Sequence, residues 1–313
     1  MLRGRIVVIT VIYKRRFNEM AFEKNNELKS DELAFKKLVE TPDFAWPTAL
    51  MMIVCLSLCS AVAYLAVTGA LPLWAGALIN GIVVYFLFSV VHDSSHGSIS
   101  KNKALNDWFG RVGMLFFGPI ATLDLARWIH MQHHRFTNDP VRDPDHFGHK
   151  MDWLTPLRWA NFDYFYTAYF LKHAGPMRKK LLPRLIVQVG FVIVVTVLAM
   201  VLGYGAEVWM LWLLPTRISS ILFVTMFVYL PHAPFARLSE EGEYQASNIR
   251  AGYESILTPL MAYQNYHLVH HLYPRAPFYR MVKIWNARKE YHVSQNPFFV
   301  KTFSVGKKVA VPE

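Results

Sequence analysis

Long stretches without charged residues constrain this chain more than any other feature. Asp, Glu, Lys and Arg are absent from residues 47–68, 71–91 and 185–204, and a fourth apolar stretch, at 208–231, contains a single charge, Arg217. About 20 apolar residues are enough to span a bilayer as an α-helix. The sequence therefore predicts an all-α integral membrane protein with four transmembrane helices.

The distribution of basic residues predicts the orientation of these helices. The short connections around Gly69 and Gly203, which predict two helical hairpins, contain no Lys or Arg. By contrast, nine basic residues precede the first stretch, thirteen lie in 93–184 and ten follow residue 231. Because Lys and Arg are enriched in cytoplasmic loops, we expect both termini and the middle segment to be cytoplasmic. The net charge of +11 is then explained by topology and by attraction to anionic lipid. Nucleic-acid binding is disfavoured, since the basic residues flank apolar stretches instead of forming one patch.

The chain divides into three parts on this view. We expect a cytoplasmic N-terminal arm over residues 1–45, a membrane domain over 46–290 and a C-terminal tail over 291–313. Arg217 follows a Trp-rich stretch and is interpreted as a side chain that extends to the outer membrane interface. A functional Arg inside the membrane is the alternative.

Eight histidines form three clusters beside the apolar stretches. In an α-helix, positions i, i+3 and i+4 share one face, so each cluster would present a row of imidazoles, and all three rows fall on the predicted cytoplasmic side. Imidazole binds iron, zinc, copper or nickel, and eight imidazoles exceed the needs of one ion. The sequence thus predicts a site for more than one metal ion. The eight residues are His92, His96, His130, His133, His134, His267, His270 and His271.

The order and spacing of these clusters resemble the three histidine boxes of the membrane fatty acid desaturase superfamily. The resemblance covers roughly residues 45–290. It implies a four-span enzyme whose cytoplasmic helical cap carries two iron ions, held almost entirely by imidazole. It further implies that O2 is a co-substrate and that an unactivated C–H bond is desaturated or hydroxylated. His232 matches a ninth ligand at the inner end of the fourth span, and Asn265 matches a residue that supports the metals through water.

Carboxylates near the histidines are candidates for orienting them. Ligating imidazoles usually donate their second N–H to a carboxylate or a carbonyl. Asp93 lies within the first cluster, and Asp145 follows the second with Asp139 and Asp143. The alternative is that these acids are surface turn residues, because Asp-Pro commonly marks a turn.

The substrate is left open between two classes. The superfamily resemblance implies a long-chain lipid, first of all a fatty acyl chain that is desaturated. The residues around the second and third clusters are also similar to desaturase-type carotenoid ring hydroxylases, which makes hydroxylation or ketolation of a carotenoid ring or another long apolar lipid the alternative.

Electrons for such a reaction have to come from another protein. The chain contains two cysteines and no His-Pro-Gly-Gly motif of a fused cytochrome b5, so the resemblance implies a separate ferredoxin, rubredoxin or cytochrome b5. Arg178, Lys179 and Lys180 either dock an acidic donor or simply follow the charge rule for cytoplasmic loops. Metal transporters place ionisable groups near the bilayer midplane, whereas the four apolar stretches contain no charged residue except Arg217, so a transporter is disfavoured. A zinc hydrolase is disfavoured because the sequence contains no His-Glu-x-x-His.

Overall fold

The computed structural model describes residues 30–235, 238–305 and 308–309. Most of the expected N-terminal arm, residues 1–29, lies outside the described residues, as do 306–307 and 310–313 of the expected C-terminal tail. Helical backbone is present at 30–39.

Within the described residues, four helices are long and apolar enough to cross a membrane, in agreement with the four apolar stretches. They are α1 (Trp46–Val67), α2 (Leu73–His96), α7 (Met177–Val201) and α8 (Gly205–His232). Helix α2 packs against both α1 and α8. In its most apolar 18-residue stretch 56% of the residues are buried, compared with 11% in the corresponding stretch of α7. The site therefore rests on α2 and α8, whereas α7 leaves most of its surface free for lipid.

Glycine and a buried amide allow α2 and α8 to approach closely. A Cβ atom added at Gly81 would lie 2.6 Å from the side chain of Ile218. The residue before it, Asn80, donates a hydrogen bond through Nδ2 to the Leu211 carbonyl at 3.0 Å. The close packing and the interhelical hydrogen bond together hold α2 and α8 side by side, a mode of association that is common among membrane helices.

Helix α8 is interrupted twice by π-helical turns. The first covers Trp209–Leu213 and the second Val224–Tyr229. The helix ends at His232, and Ala233 is already extended, with φ −59° and ψ 133°. This end is expected from the sequence, because Pro234 disfavours a helical conformation at the residue before it.

The remaining elements are short and contribute the rest of the site. Between α2 and α7 lie α3 (Lys103–Phe117), α4 (Leu123–Phe136), a 3₁₀ turn (Pro144–Gly148), α5 (Thr155–Ala160) and α6 (Phe162–His173). After α8 come α9 (Glu243–Ala246), β1 (Asn248–Ala251), α10 (Glu254–Leu260), a 3₁₀ turn (Gln264–Tyr266), α11 (His267–Leu272), a 3₁₀ turn (Phe278–Arg280), α12 (Met281–Ala287), α13 (Lys289–Ser294) and β2 (Phe298–Lys301).

A small sheet ties the end of the chain to the end of α8. Strands β1 and β2 pair in parallel, with Asn248 opposite Phe298. Arg250, in β1, is completely buried. Its guanidinium donates to the Leu230 carbonyl at 2.9 Å and to the carbonyls of Thr302 and Ser304 at 2.8 and 2.9 Å. Residues of the predicted tail therefore support the segment that precedes His232.

The interpretation of Arg217 as a side chain reaching the outer interface is wrong. Its guanidinium donates to both carboxylate oxygens of Asp163, at 2.7 and 3.0 Å, and to the Ala160 carbonyl at 3.1 Å. Asp163, at the start of α6, is buried. A two-pronged pairing with a carboxylate satisfies the planar donors of Arg better than an extended side chain does. The sequence could not reveal it, since the partner lies 54 residues away.

Candidate metal centre

Nine histidines converge on one side of the helical bundle and form two groups. Group A consists of His92, His96, His130 and His270, and group B consists of His133, His232, His267 and His271. Within each group, one ligand nitrogen from each residue lies within 4.8 Å of the others. His134 lies beside group A, since its Nε2 is 2.9 Å from that of His270 and 3.2 Å from that of His130.

Helical spacing explains how three sequence clusters make two groups. The first cluster lies at the end of α2 and serves group A alone. The second, on α4, is divided, because His130 turns to group A and His133 to group B. The third, on α11, is divided in the same way between His270 and its neighbours. His232 completes group B from the end of α8.

The spacing of the imidazole nitrogens fits metal coordination. Ligand nitrogens at about 2.1 Å from an ion and at right angles to each other are about 3 Å apart. In group A, Nε2 of His92 is 3.0 Å from that of His270, and Nε2 of His96 is 2.8 Å from that of His130. In group B, Nε2 of His267 is 3.0 Å from that of His232 and 3.1 Å from that of His271.

The protonation expected of the imidazoles also suits a metal. Burial, followed by the charge of neighbouring imidazoles, lowers the pKa of His130, His134, His267, His270 and His271 well below its ordinary value. Neutral imidazole is the form that coordinates a metal. These five side chains are therefore in the required form at neutral pH.

Hydrogen bonds at Nδ1 orient the imidazoles of group B. His133 Nδ1 donates to Asp143 at 3.0 Å, and His232 Nδ1 donates to the Ala246 carbonyl at 3.2 Å. His267 Nδ1 donates to the side-chain oxygen of Gln264. Because Nδ1 carries a proton in each case, the neutral form of each imidazole keeps its Nε2 lone pair for a metal.

The acidic pair beside His133 is itself held in place. Asp143 accepts hydrogen bonds from the backbone of Asn138 at 2.7 Å and of Asp145 at 2.9 Å. Asp145 lies 3.3 Å from His133 Nδ1 and accepts a hydrogen bond from the Tyr166 hydroxyl at 2.7 Å. Burial lowers the pKa of His133, but the two carboxylates outweigh it and raise that pKa above its ordinary value. The structure thus places Asp145 next to a histidine, with Asp143 closer still.

Group A lacks comparable partners. The buried Nδ1 atoms of His92 and His270 have no hydrogen-bond partner within the described part of the chain. Asp93 Oδ1 is 4.0 Å from His92 Nδ1, beyond hydrogen-bond distance. The Asp93 carboxylate instead accepts hydrogen bonds from the Thr48 hydroxyl at 2.8 Å and from the Phe278 backbone at 3.1 Å. It thereby joins α2 to α1 and to the turn before α12.

The residues that precede the third cluster differ in what they contact. Asn265 Nδ2 donates to the Thr258 hydroxyl at 2.9 Å, and its buried Oδ1 has no partner among the described residues. Gln264, which the sequence analysis missed, bonds directly to His267. The only signal for Gln264 in the sequence is its position three residues before a histidine, one helical turn away.

An apolar cavity of about 60 Å³ adjoins both groups. Its wall includes His92 and His130 from group A and His133 and His267 from group B. Polar side chains at the wall include Asp163 and Tyr166. The remainder is mostly apolar and combines aliphatic side chains with the rings of Phe88, Phe117, Phe162, Phe223 and Phe227.

Comparisons with known proteins agree with this geometry. The family described as "Fatty acid desaturase" matches residues 68–302. Two beta-carotene ketolases from Paracoccus strains are 30% and 28% identical to this chain, each over 62% of it and 72% of the relative. The chloroplastic omega-6 fatty acid desaturase of Arabidopsis thaliana is 27% identical over 66% of the chain and 50% of the relative. The resemblance drawn from the histidine boxes is therefore confirmed: the chain belongs to the fatty acid desaturase family and is an oxidoreductase.

Proposed function

We propose that the protein is an O2-dependent di-iron oxidoreductase of lipid metabolism that desaturates a fatty acyl chain at an unactivated C–H site. The observation that carries this proposal is the convergence of two four-histidine groups on one apolar cavity. The histidines supply metal ligands, the cavity has room for the few methylene groups of a long apolar chain that would lie beside them, and the four apolar helices keep both next to the lipid phase.

The chain's own residues have distinct roles in this scheme. Group A with His134 would hold one iron ion and group B the other. Two iron ions bound there would supply O2 activation and hydrogen abstraction. Asp143, Gln264 and the Ala246 carbonyl hold protons at Nδ1 of their histidines and so keep each Nε2 directed at its ion.

Apolar walls complete the reaction site. The phenylalanine rings beside His92 and His130 bind the methylene chain and exclude water, so that reactive species meet the substrate first. Asn265 Oδ1 is buried and unpartnered among the described residues, and we propose that it accepts a hydrogen bond from a water that supports the metals.

The stoichiometry requires an external reductant. Desaturation removes two hydrogen atoms from adjacent carbons. Together with two electrons and two protons, they reduce one O2 to two water molecules. We propose that a separate ferredoxin, rubredoxin or cytochrome b5 delivers these electrons one at a time.

A carotenoid or another long apolar lipid is the second candidate substrate. The Paracoccus beta-carotene ketolases match this chain over 72% of their length, compared with 50% for the Arabidopsis desaturase. Hydroxylation would insert one oxygen atom into the C–H bond, and ketolation would oxidise the same carbon further. Both use the same metal ligands and the same electron supply.

Product analysis separates the two candidates. The gene is expressed in iron-replete bacteria that make β-carotene, and acyl lipids and carotenoids are profiled with and without it. A new acyl double bond supports desaturation, whereas an oxygenated carotenoid with unchanged acyl chains supports the second candidate. Purified protein should contain about two iron atoms per chain, in keeping with two groups of four imidazoles. Absence of iron together with absence of both products would overturn the proposal.

We further propose that both termini face the cytoplasm. Reporter fusions at residue 70, between α1 and α2, and at residue 313 should give opposite signals, because the basic residues flank the predicted cytoplasmic ends of the helices. Equal signals would contradict the proposed number of membrane crossings.

A further inference from the structure

A polar groove of about 410 Å³ extends from the protein surface to His96. Four basic side chains line it, Lys101, Lys103, Arg127 and Arg275. The groove differs in character from the phenylalanine-lined cavity, so it is poorly suited to an apolar lipid and well suited to a charged, water-soluble partner.

Positive charge prevails in this groove. Its one lining carboxylate, Asp107, is shared by Lys103 and Arg127, each at 2.6 Å. Lys101 pairs at 2.8 Å with Asp43, an almost fully exposed side chain that water screens strongly. Arg275 is exposed and makes no ion pair within the described residues. The lining cations therefore outnumber the lining carboxylate, and their charge remains available to a partner.

His96 connects the groove to group A. It is one of the partly exposed histidines of the site, whereas all members of group B are buried. Its Nε2 lies 2.8 Å from that of His130. Gly97 ends α2 immediately after it with a left-handed φ of 68°, and a Cβ atom there would meet nothing within 4 Å. The chain thus turns away beside His96 and leaves its imidazole at the floor of an open groove.

We propose that this groove docks an acidic one-electron carrier protein, and that electrons reach group A through the His96 imidazole. The inference rests on the proposed function, which requires two electrons from outside for each O2 reduced. Each docking event oxidises one carrier molecule and transfers one electron, so two events, with two protons from solvent, complete one turnover. Complementary charge steers such encounters and sets their orientation.

A protein is a better occupant than a small anion. The groove is wide and open, and its lysines are 64% and 78% exposed, so a small ion would stay hydrated there. A carrier with a ring of surface carboxylates can engage several of these cations at once while it excludes water from the contact. The basic residues Arg178, Lys179 and Lys180 are also exposed, but none of them lines this groove, and they provide a matched control.

Chemical cross-linking tests the docking site without any turnover. The probe is an oxidised plant-type [2Fe–2S] ferredoxin with an acidic surface, mixed with the iron-loaded protein in lipid nanodiscs and treated with a carbodiimide. Lys101 and Lys103 are expected to form amide bonds with ferredoxin carboxylates, identified by mass spectrometry, and high salt is expected to abolish them. Rubredoxin and the soluble haem domain of cytochrome b5 are tested in parallel. Cross-links confined to Lys179 and Lys180, or none with any of the three carriers, would overturn the proposal.

Charge reversal tests the same site kinetically. We compare Lys101→Glu/Arg275→Glu with the matched pair Arg178→Glu/Lys179→Glu, using the carrier that cross-links. The first pair is expected to raise the KM for the carrier about tenfold at low salt with little change in kcat, and to weaken its salt dependence. Iron content and turnover driven by dithionite with methyl viologen should stay at the wild-type level in both variants. An equal rise in KM in the control pair would contradict the proposed site, whereas loss of mediator-driven turnover in the wild type would count against the proposed function instead.

Discussion

Groups A and B have the same number of histidines but are built differently. Every member of group B is buried, and three of its imidazoles are fixed through Nδ1 by Asp143, Ala246 or Gln264. Group A contains the partly exposed His96 and His130, and the Nδ1 atoms of His92 and His270 have no partner in the described part of the chain. Group B is therefore organised in advance by its surroundings, whereas the arrangement of group A would depend more on a bound ion.

This difference indicates how one centre can be both stable and accessible from the solvent. A buried, hydrogen-bonded set of ligands holds its ion tightly and in one geometry. A set with a partly exposed imidazole gives up some of that rigidity and gains contact with the solvent side, from which the proposed carrier would deliver electrons. We infer that stability of the centre resides in group B and access to it in group A.

Removing a ligand from group B should have the largest effect. His232→Asn replaces an imidazole whose Nε2 lies 3.0 Å from that of His267 by an amide, which is a poor ligand for iron. We expect iron content to fall to about half and product formation to drop below detection, while the protein still inserts in the membrane. His173→Asn, at the exposed end of α6, is the matched control. Full iron occupancy and activity in His232→Asn would show that His232 is not a ligand.

Removing the charge that orients a group B imidazole should have an intermediate effect. Asp143→Asn keeps the shape of the side chain but weakens its hydrogen bond to His133 Nδ1. We expect iron affinity to fall about 10- to 100-fold, as is usual for residues that support metal ligands. Metal titration of the apoprotein measures this change. Asp152→Asn, which removes a carboxylate paired with Lys150 and Arg158, should leave the affinity unchanged, and equal losses in both variants would argue against a specific role for Asp143.

The difference between the rates at which the two ions are lost should be the smallest of these effects, but it compares the two groups directly. We expect a ferrous chelator to remove the ion of group A several times faster than that of group B, since His96 is accessible and fewer imidazoles of group A are fixed. Loss from wild-type protein should then follow two phases. His232→Asn, which keeps group A, should reproduce the fast phase, and His96→Asn, which keeps group B, the slow one. Release of iron in a single phase, or faster release from group B than from group A, would contradict the proposed difference between the two groups.

The sequence predicted best those features that depend on the local spacing or absence of one kind of residue. Apolar stretches with at most one charge located the four long helices, although α7 begins at Met177, eight residues before its charge-free stretch at 185–204. The difference arises because residues 178–184 form about two basic turns of the helix, and a search for charge-free stretches cannot include them. Histidine spacing likewise predicted the rows that α2, α4 and α11 present.

Contacts between residues far apart in the chain could not be predicted from the sequence. Nothing in the local sequence shows that Asp93 bonds to Thr48 and Phe278 rather than to His92, or that Arg217 pairs with Asp163. The division of the second and third clusters between two groups depends on how α4 and α11 face each other, which is a property of the packing. For the same reason, the sequence could not show that Asp143, and not Asp139 or Asp145, is the carboxylate that accepts the hydrogen bond from His133.

The two π-helical turns of α8 have a consequence for how this helix tolerates change. Each π turn accommodates one residue more than an α-helical turn would, and each residue of an α-helix advances the chain by about 100° and 1.5 Å. A single deletion within Val224–Tyr229 would therefore leave an unbroken α-helix in which the residues on either side keep their angular phase. A deletion elsewhere in α8 would rotate the side chains on one side of it by about 100° relative to those on the other, so that either His232 or the membrane-facing residues before it would point elsewhere. The π turns are thus the places where α8 should tolerate the loss of one residue, whereas deletions outside them should be harsher than substitutions.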